Sequence, residues 1–461
     1  MEPTLMVVGL NYRTAPMAVR ERFWVEEGRR YEALARLSRA EGIDEVIILS
    51  TCNRTEFFLW ANDVTLAANS VMRLLAAEYG LKLCEWKHFY RLLDESALLH
   101  IFRVASCLDS MVVGNPQVIG QVKAAWQQAQ KLGACGRFLD VLLQKALTVS
   151  ERVRSETAIA KTSVSIPYIA VELARQIFGT LANKKVLLIG AGEMTELSAR
   201  GFLQQGATSI RVMNRTFENA AELAARLGGT ASPIEERWQH MVEADIIITC
   251  TSCPHTILSR EDVESIMERR ILQREKKSLL EKSSSDKFAT GESRSDESLY
   301  SQPLLIIDLA VPRDVDPDVR NINHVFLRDM DDLEDVADPT AKDREMAAAK
   351  AHKILQAEAQ GFCRKLSAER TVPTVVALRS RLDEFCRQEL DSFREENGPF
   401  SKDQDEMLNA VLLRMTQRIA GSLARELKAL PEKTEQEELT TALHRLFHLP
   451  APRSARTGTR P

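Results

Sequence analysis

Cys52 stands in Ser50-Thr51-Cys52-Asn53-Arg54, a thiol with polar side chains on both sides. A thiolate is a strong nucleophile toward acyl carbons, and a nearby arginine lowers the thiol's pKa. Arg54 has a second use, because its planar fork can grip a carboxylate through two hydrogen bonds. Against both stands the ordinary fate of a cysteine, a small apolar residue in a core. His100, within Ala97–Phe102, has an apolar helical context and by itself reads as a core histidine. Ser110, Gln117 and Gln121 follow on a segment bent at Pro116, either lining a polar pocket or standing as surface amides. The remaining seven cysteines are scattered and read as structural. Cys250 and Cys253 form the one C-x-x-C, with no second pair at zinc-site spacing, so no metal is indicated.

A second constellation begins at the apolar run Lys185–Ile189, followed at once by Gly190-Ala191-Gly192-Glu193-Met194-Thr195 and a helical stretch to Gln205. A tight strand-to-helix turn aims backbone N–H groups and the helix N-terminus at a pyrophosphate. Gly190 permits the turn and Gly192 admits the phosphate, while Thr195 replaces the third glycine of the usual fingerprint. The next strand ends at Asn214-Arg215-Thr216. An acidic residue there would bond the 2′-hydroxyl of NAD; Arg215 instead offers a cation to a 2′-phosphate, which favours NADP(H).

These residues need elements to hold them. Leu5–Leu10, Glu45–Ser50 and Glu56–Trp60 read as strands, which places Cys52, Asn53 and Arg54 on the turn between the last two. Residues 94–156 are helical in pattern, broken at Gly114-Asn115-Pro116. Strands and helices alternate from Lys185 to Asp308, the pattern of a doubly wound parallel sheet. Residues 273–302 are polar, charged and poor in aromatics, and read as a disordered insertion. Beyond Pro339 the chain is almost wholly helical, with Val411, Leu412, Met415, Ile419 and Leu423 on one apolar face. The expected organisation is α/β plus α: an N-terminal α/β catalytic domain (1–160), a Rossmann-type dinucleotide domain (161–335), a helical assembly region (336–449) and a disordered tail (450–461).

With 461 residues, 44% of them apolar and 27% charged, the chain has an ordinary globular balance and length for two or three domains. No apolar run reaches the roughly 18 residues of a membrane helix, and Met1–Leu10 lacks a secretory pattern, which makes the cytoplasm the default. A net charge of −4 carries no nucleic-acid footprint, and the mildly basic stretch from Lys123 to Arg154 reads as a solvated helix face.

Taken together, these motifs resemble the glutamyl-tRNA reductase family over about residues 5 to 450, the insertion apart. The resemblance rests on Gly9–Pro16, Ser50–Arg54, Val104–Lys123, Gly190–Met194, Asn214–Thr216, Ile307–Asp314 and Val372-Pro373-Thr374. It implies that Cys52 attacks the ester joining glutamate to the tRNA 3′ end, and that NADPH reduces the resulting thioester to glutamate-1-semialdehyde. That is the first step of five-carbon tetrapyrrole (porphyrin) biosynthesis. It also implies a substrate pocket at Thr51, Cys52, Asn53, Arg54, Ser110, Asn115, Pro116, Gln117 and Gln121, a cofactor turn at Gly190–Thr195, and a role in activity for His100. The C-terminal helices would form a homodimer, joined to the other domains by a long spinal helix. Glutamate-1-semialdehyde aminotransferase is the protein expected to take the product.

Three departures from the family pattern stand out. Tyr12 replaces a usual His, Asn115 replaces a Glu commonly preceding Pro-Gln, and the 273–302 segment is unusual. Two other readings remain open. A shikimate-dehydrogenase-like reductase would need a Lys/Asp pair in place of Cys52 and leaves the helical region unexplained. A noncatalytic tRNA-binding dimer has only Tyr12 and Asn115 in its favour.

Overall fold

The structure, a computed structural model, describes residues 3–111, 114, 117–160, 166–284, 303–333, 341–398, 400–429 and 433–450. Contacts divide the chain into two units, one ending at Leu355 and one beginning at Gln356. Within the first unit, β1 (Thr4–Asn11), β2 (Ile43–Ser50), β3 (Arg54–Ala61) and β4 (Tyr90–Leu93) form a sheet in the order β2-β3-β1-β4. Its neighbours run antiparallel throughout. The near-continuous apolar runs of β1, β2 and β3 are explained by helices that cover the sheet. Asp94–Ala105 packs on β1, Gln117–Lys131 on β2, and Val64–Tyr79 on β1 and β3.

Arg54 is the first residue of β3 and not part of the connecting turn, because Thr51 N–H donates to Arg54 C=O at 2.8 Å and the hairpin closes one residue early. That pairing sets Arg54 opposite Asn11 on β1. Gly9 sits one step inside, where an added Cβ would lie 2.6 Å from Thr55 O and 2.8 Å from Glu56 Cγ.

A second sheet follows: β5 (Lys185–Ile189), β6 (Ser209–Asn214), β7 (Thr230–Pro233), β8 (Ile246–Thr249), β9 (Leu304–Asp308) and β10 (Val325–Arg328). Every neighbouring pair is parallel, in the order β10-β9-β8-β5-β6-β7. This is the expected doubly wound sheet, with its reversal of strand order between β5 and β8. Alternate residues feed two cores. Val186, Leu188, Ile246, Ile248 and Ile307 enter one, and Leu187, Ile189, Ile247 and Ile306 enter the other.

The short helix Met17–Arg20 binds the two sheets into one unit. Met17 is buried in the first of those cores. Arg20 Nη2 donates to Asp331 Oδ1 at 2.6 Å, and Arg313 grips Glu21 with Nη2–Oε1 at 2.6 Å and Nε–Oε2 at 3.0 Å.

One reading needs correction. The segment from 273 was expected to be disordered, yet the helix Arg260–Ser284 runs well into it, since its Glu, Lys, Leu and Arg are good helix formers regardless of burial. Residues 285–302 and the tail from 451 lie outside the described residues, as do Asn115 and Pro116.

In the region expected to be almost wholly helical, one helix spans Ala341–Asn397, with Pro373 inside it. In the second unit Thr374 is buried, its Oγ1 3.3 Å from His444 Nε2 on the helix Lys433–Leu446. Arg394 pairs with Asp405 through Nε–Oδ1 (2.8 Å) and Nη2–Oδ2 (2.7 Å) across the turn into the helix Lys402–Ala429. That helix leaves Val411, Met415 and Ile419 exposed in a row four residues apart. No helix among the described residues is long and apolar enough to cross a membrane.

Gly9→Ala is expected to push β1 off β3 and cost about 1–3 kcal/mol, measured by urea unfolding. An unchanged midpoint would show that the two strands can part at no cost.

Candidate active site

The two-residue turn at Cys52-Asn53 is built by its own backbone. Asn53 N–H donates to Thr51 Oγ1 (3.2 Å), and Tyr12 N–H donates to Asn53 C=O (2.9 Å). Thr51, Cys52 and Asn53 are half-buried, whereas Arg54 is 3% exposed. Burying a guanidinium is costly unless it is paired. Here Arg54 Nη1 donates to Glu56 Oε1 (2.8 Å) and to Asp109 Oδ2 (3.1 Å), and Nη2 donates to the Asp109 carbonyl.

Glu56 is the hub of this cluster and is fully buried. Its Oε1 also accepts a hydrogen bond from the Tyr90 hydroxyl and lies 3.0 Å from His100 Nε2. Burial alone would raise the Glu56 carboxyl, but the charges of Arg54 and His100 and the hydrogen bonds from His100 and Tyr90 outweigh it. The carboxyl is held at about 2. It is therefore ionised at neutral pH, so His100 must carry its proton on Nε2 to donate. Tyr90, buried beside ionised Glu56, has its phenol pushed up and keeps its proton. His100 meets Glu56 rather than an apolar core, which its sequence context did not suggest.

Three atoms in this pocket are buried with no hydrogen-bond partner among the described residues: Glu56 Oε2, Asn53 Oδ1 and Ser110 Oγ. Unpaired acceptors and a hydroxyl at that depth suit a polar ligand. Gln117 begins the helix Gln117–Lys131 and is half-buried; Gln121 is exposed. Glu56, Tyr90 and Asp109 were missed by sequence reasoning. The signal that could have found Glu56 is a carboxylate two residues from Arg54 on the same face of an otherwise apolar strand.

Cys52 packs against the apolar core of the second sheet, the core on which Ala191, Cys250 and Val311 also pack. Burial pushes its thiol up, with Arg20 and Arg54 pulling the other way. At the switch point of that sheet, Gly190 (φ 110°) turns the chain out of β5. A side chain on Gly190 would overlap the Cys250 carbonyl. Gly192 precedes the helix Glu193–Gln204 and has open space where a Cβ would be. Thr195 is fully buried. Ala191 and Met194 are half-buried and Glu193 exposed. The open glycine at a helix N-terminus fits a dinucleotide pyrophosphate. Beyond the next strand, Asn214 Nδ2 donates to Thr216 C=O (3.0 Å), and Arg215 is exposed.

A doubly wound sheet with an open glycine turn at its switch point, faced by a cysteine from a second domain, defines a nicotinamide-dependent oxidoreductase. Residues 8–157 match the family described as glutamyl-tRNAGlu reductase, N-terminal domain, and residues 350–449 match its dimerisation domain, which supports a homodimer. Residues 172–280 and 282–336 match shikimate / quinate 5-dehydrogenase. The glutamyl-tRNA reductase of Pelobacter propionicus is 37% identical over 446 residues, 96% of each chain, and that of Trichlorobacter lovleyi is 37% identical over 447 residues. A solved glutamyl-tRNA reductase from Methanopyrus kandleri is 28% identical with a TM-score of 0.47, covering 96% of this chain and 99% of that one. The chain belongs to the glutamyl-tRNA reductase family.

Glu56 gives the acid limb of stability a sign. A carboxyl held at about 2, against roughly 4.3 when unfolded, stabilises the fold above the higher value. That contribution is lost as pH falls from the higher value to the lower. Glu56→Gln is expected to remove this limb, on the order of 3 kcal/mol, and to destabilise the fold at pH 7 by about 3–5 kcal/mol by leaving Arg54 underpaired. Thermal unfolding between pH 2 and 7 checks both; parallel curves for variant and wild type would contradict them.

Proposed function

We propose that this chain reduces glutamyl-tRNA(Glu) to glutamate-1-semialdehyde with NADPH, through a thioester on Cys52. The observation that carries the reading is the packing of Cys52 on the apolar core of the dinucleotide sheet, the same core on which Ala191 of the glycine turn packs. An acyl group on that sulfur lies where a nicotinamide would be presented.

The Cys52 thiolate attacks the ester carbonyl, the tRNA 3′ oxygen leaves as an alcohol, and the glutamyl group stays on sulfur. Arg20 and Arg54 favour the thiolate against the burial that opposes it. Bound NADPH supplies the hydride that takes the thioester to the aldehyde. The pocket offers groups of both signs to a glutamyl moiety. Glu56 Oε2 and Asn53 Oδ1 are free to accept from its α-ammonium group. Arg54 is already held by Glu56 and Asp109, so binding the side-chain carboxylate there requires it to share or exchange Asp109. His100 and Tyr90 act through Glu56 as positioning residues. Arg215, exposed beyond β6, is the cation for the 2′-phosphate, and Gly190–Thr195 cradle the pyrophosphate. The shikimate-dehydrogenase-like alternative accounts for the dinucleotide half alone.

With purified glutamyl-tRNA, wild type is expected to oxidise NADPH, and Cys52→Ser to lose about three orders of magnitude or more. Retained turnover in the serine variant, or none in wild type, would sink the proposal. Arg215→Met is expected to raise KM for NADPH about 10–100-fold while leaving NADH little changed. Equal effects on the two cofactors would remove Arg215 from the 2′-phosphate site.

A further inference from the structure

Asp109 serves more cations than Arg54. Its Oδ2 accepts from Arg54 Nη1 (3.1 Å) and Asn11 Nδ2 (3.5 Å). Its Oδ1 lies 3.8 Å from Arg13 Nε and 3.5 Å from Arg103 Nη2, the separations of loose ion pairs. Three guanidiniums thus meet two carboxylates, Asp109 and Glu56, which leaves one positive charge in excess. Arg54 is buried, but the side chains of Arg13 and Arg103 are 52% and 37% exposed, so the excess charge faces solvent.

Both arginines are held in place by their local backbone. Asn11 Oδ1 accepts from the N–H of Arg13 (3.0 Å) and of Thr14 (3.2 Å), which closes the turn after β1. Arg13 Nε donates to the Tyr12 hydroxyl (2.9 Å), with the guanidinium 5.3 Å from the centre of that ring. Tyr12 N–H donates to Asn53 C=O (2.9 Å), so Arg13 and Cys52 are the chain neighbours of two hydrogen-bonded residues. Arg103 lies in the last turn of the helix Asp94–Ala105. Leu108 N–H folds back to its C=O (2.9 Å), which brings Asp109 to the same helix end. The net charge of −4 hides this patch, because its two exposed arginines are far apart in the sequence.

We propose that Arg13 and Arg103 form a phosphate clamp for the single-stranded 3′ end of the tRNA, with Tyr12 bracing Arg13. The clamp rests on the reading of glutamyl-tRNA as the substrate and names the residues that take its backbone. The terminal ribose carries both the ester and a phosphate, so an ester brought to Cys52 brings a phosphodiester with it. The glutamyl group itself is charge-neutral in sum, an α-ammonium and a side-chain carboxylate, and leaves the excess positive charge unmatched. A phosphodiester matches it. The planar fork of a guanidinium fits phosphate oxygens, and loose ion pairs at half-exposed side chains cost little to loosen when the phosphate arrives.

The test measures binding of uncharged tRNA(Glu) to the full-length chain by fluorescence anisotropy, over about 50–200 mM salt. Arg13→Ala and Arg103→Ala are each expected to weaken binding about 3–10-fold. Each should also flatten the slope of log affinity against log salt by one phosphate contact, roughly 0.7–1. Arg13→Lys and Arg103→Lys are expected to keep that slope, and Arg→Gln at either position replaces alanine should alanine lower thermal stability. On a tRNA trimmed of its single-stranded 3′ end, the alanine variants are expected to bind no more weakly than wild type. With glutamyl-tRNA and NADPH, KM is expected to rise by the same factor while kcat moves little. Unchanged affinity or salt slope in either alanine variant would overturn the clamp. An equal loss on trimmed tRNA would overturn it too, because the arginines would then contact another part of the RNA. Absence of wild-type turnover would sink the reductase reading, and the binding measurements would still decide the clamp.

Discussion

Arg54 is an arginine buried between two carboxylates, and much of the N-terminal half is arranged to make that tolerable. An unpaired guanidinium at this depth would cost several kcal/mol. Glu56 lies on the same strand and the same face, so β3 brings its own counter-charge. Asp109 comes from the segment after the helix Asp94–Ala105, and holds Arg54 through both its side chain and its carbonyl. Tyr90 and His100 then complete the shell of Glu56 from β4 and that same helix. The result is a rigid polar floor beneath the turn that carries Cys52.

The second constraint is geometric. A parallel doubly wound sheet leaves a crevice where its strand order reverses, and here β5 and β8 flank it. Gly190 turns out of β5 so close to the Cys250 carbonyl that no side chain fits. Gly192, two residues on in the turn, has open space where a Cβ would be, which fits the approach of a dinucleotide. Met17, Arg20 and Glu21 keep the two sheets in one unit. The proposed chemistry would need both sheets, because Cys52 is carried by one and the glycine turn belongs to the other.

How legible this was differs by element. The strand Lys185–Ile189 and its glycine turn were readable to the residue, since a buried parallel strand is a plain apolar run and the turn has few solutions. The helix Ala341–Asn397 was legible as helical without its bounds, because Pro373 inside it resembles an end. The stretch after 273 read as disorder from composition, although composition does not forbid a helix that buries little. His100 was misjudged for a related reason: an apolar helical context says that a histidine is buried, not what it faces.

By itself the sequence determined the types of chemistry available, namely a thiol beside an arginine and a glycine turn beside a cation. Local spacing suffices there, because those features act through residues adjacent in the chain. Tertiary structure alone decided that Tyr90, His100 and Asp109 converge on the pair Arg54–Glu56, and that Cys52 packs on the core of the parallel sheet. Ion pairs between residues 44 and 55 positions apart depend on strand register and on which faces meet. No local pattern encodes those.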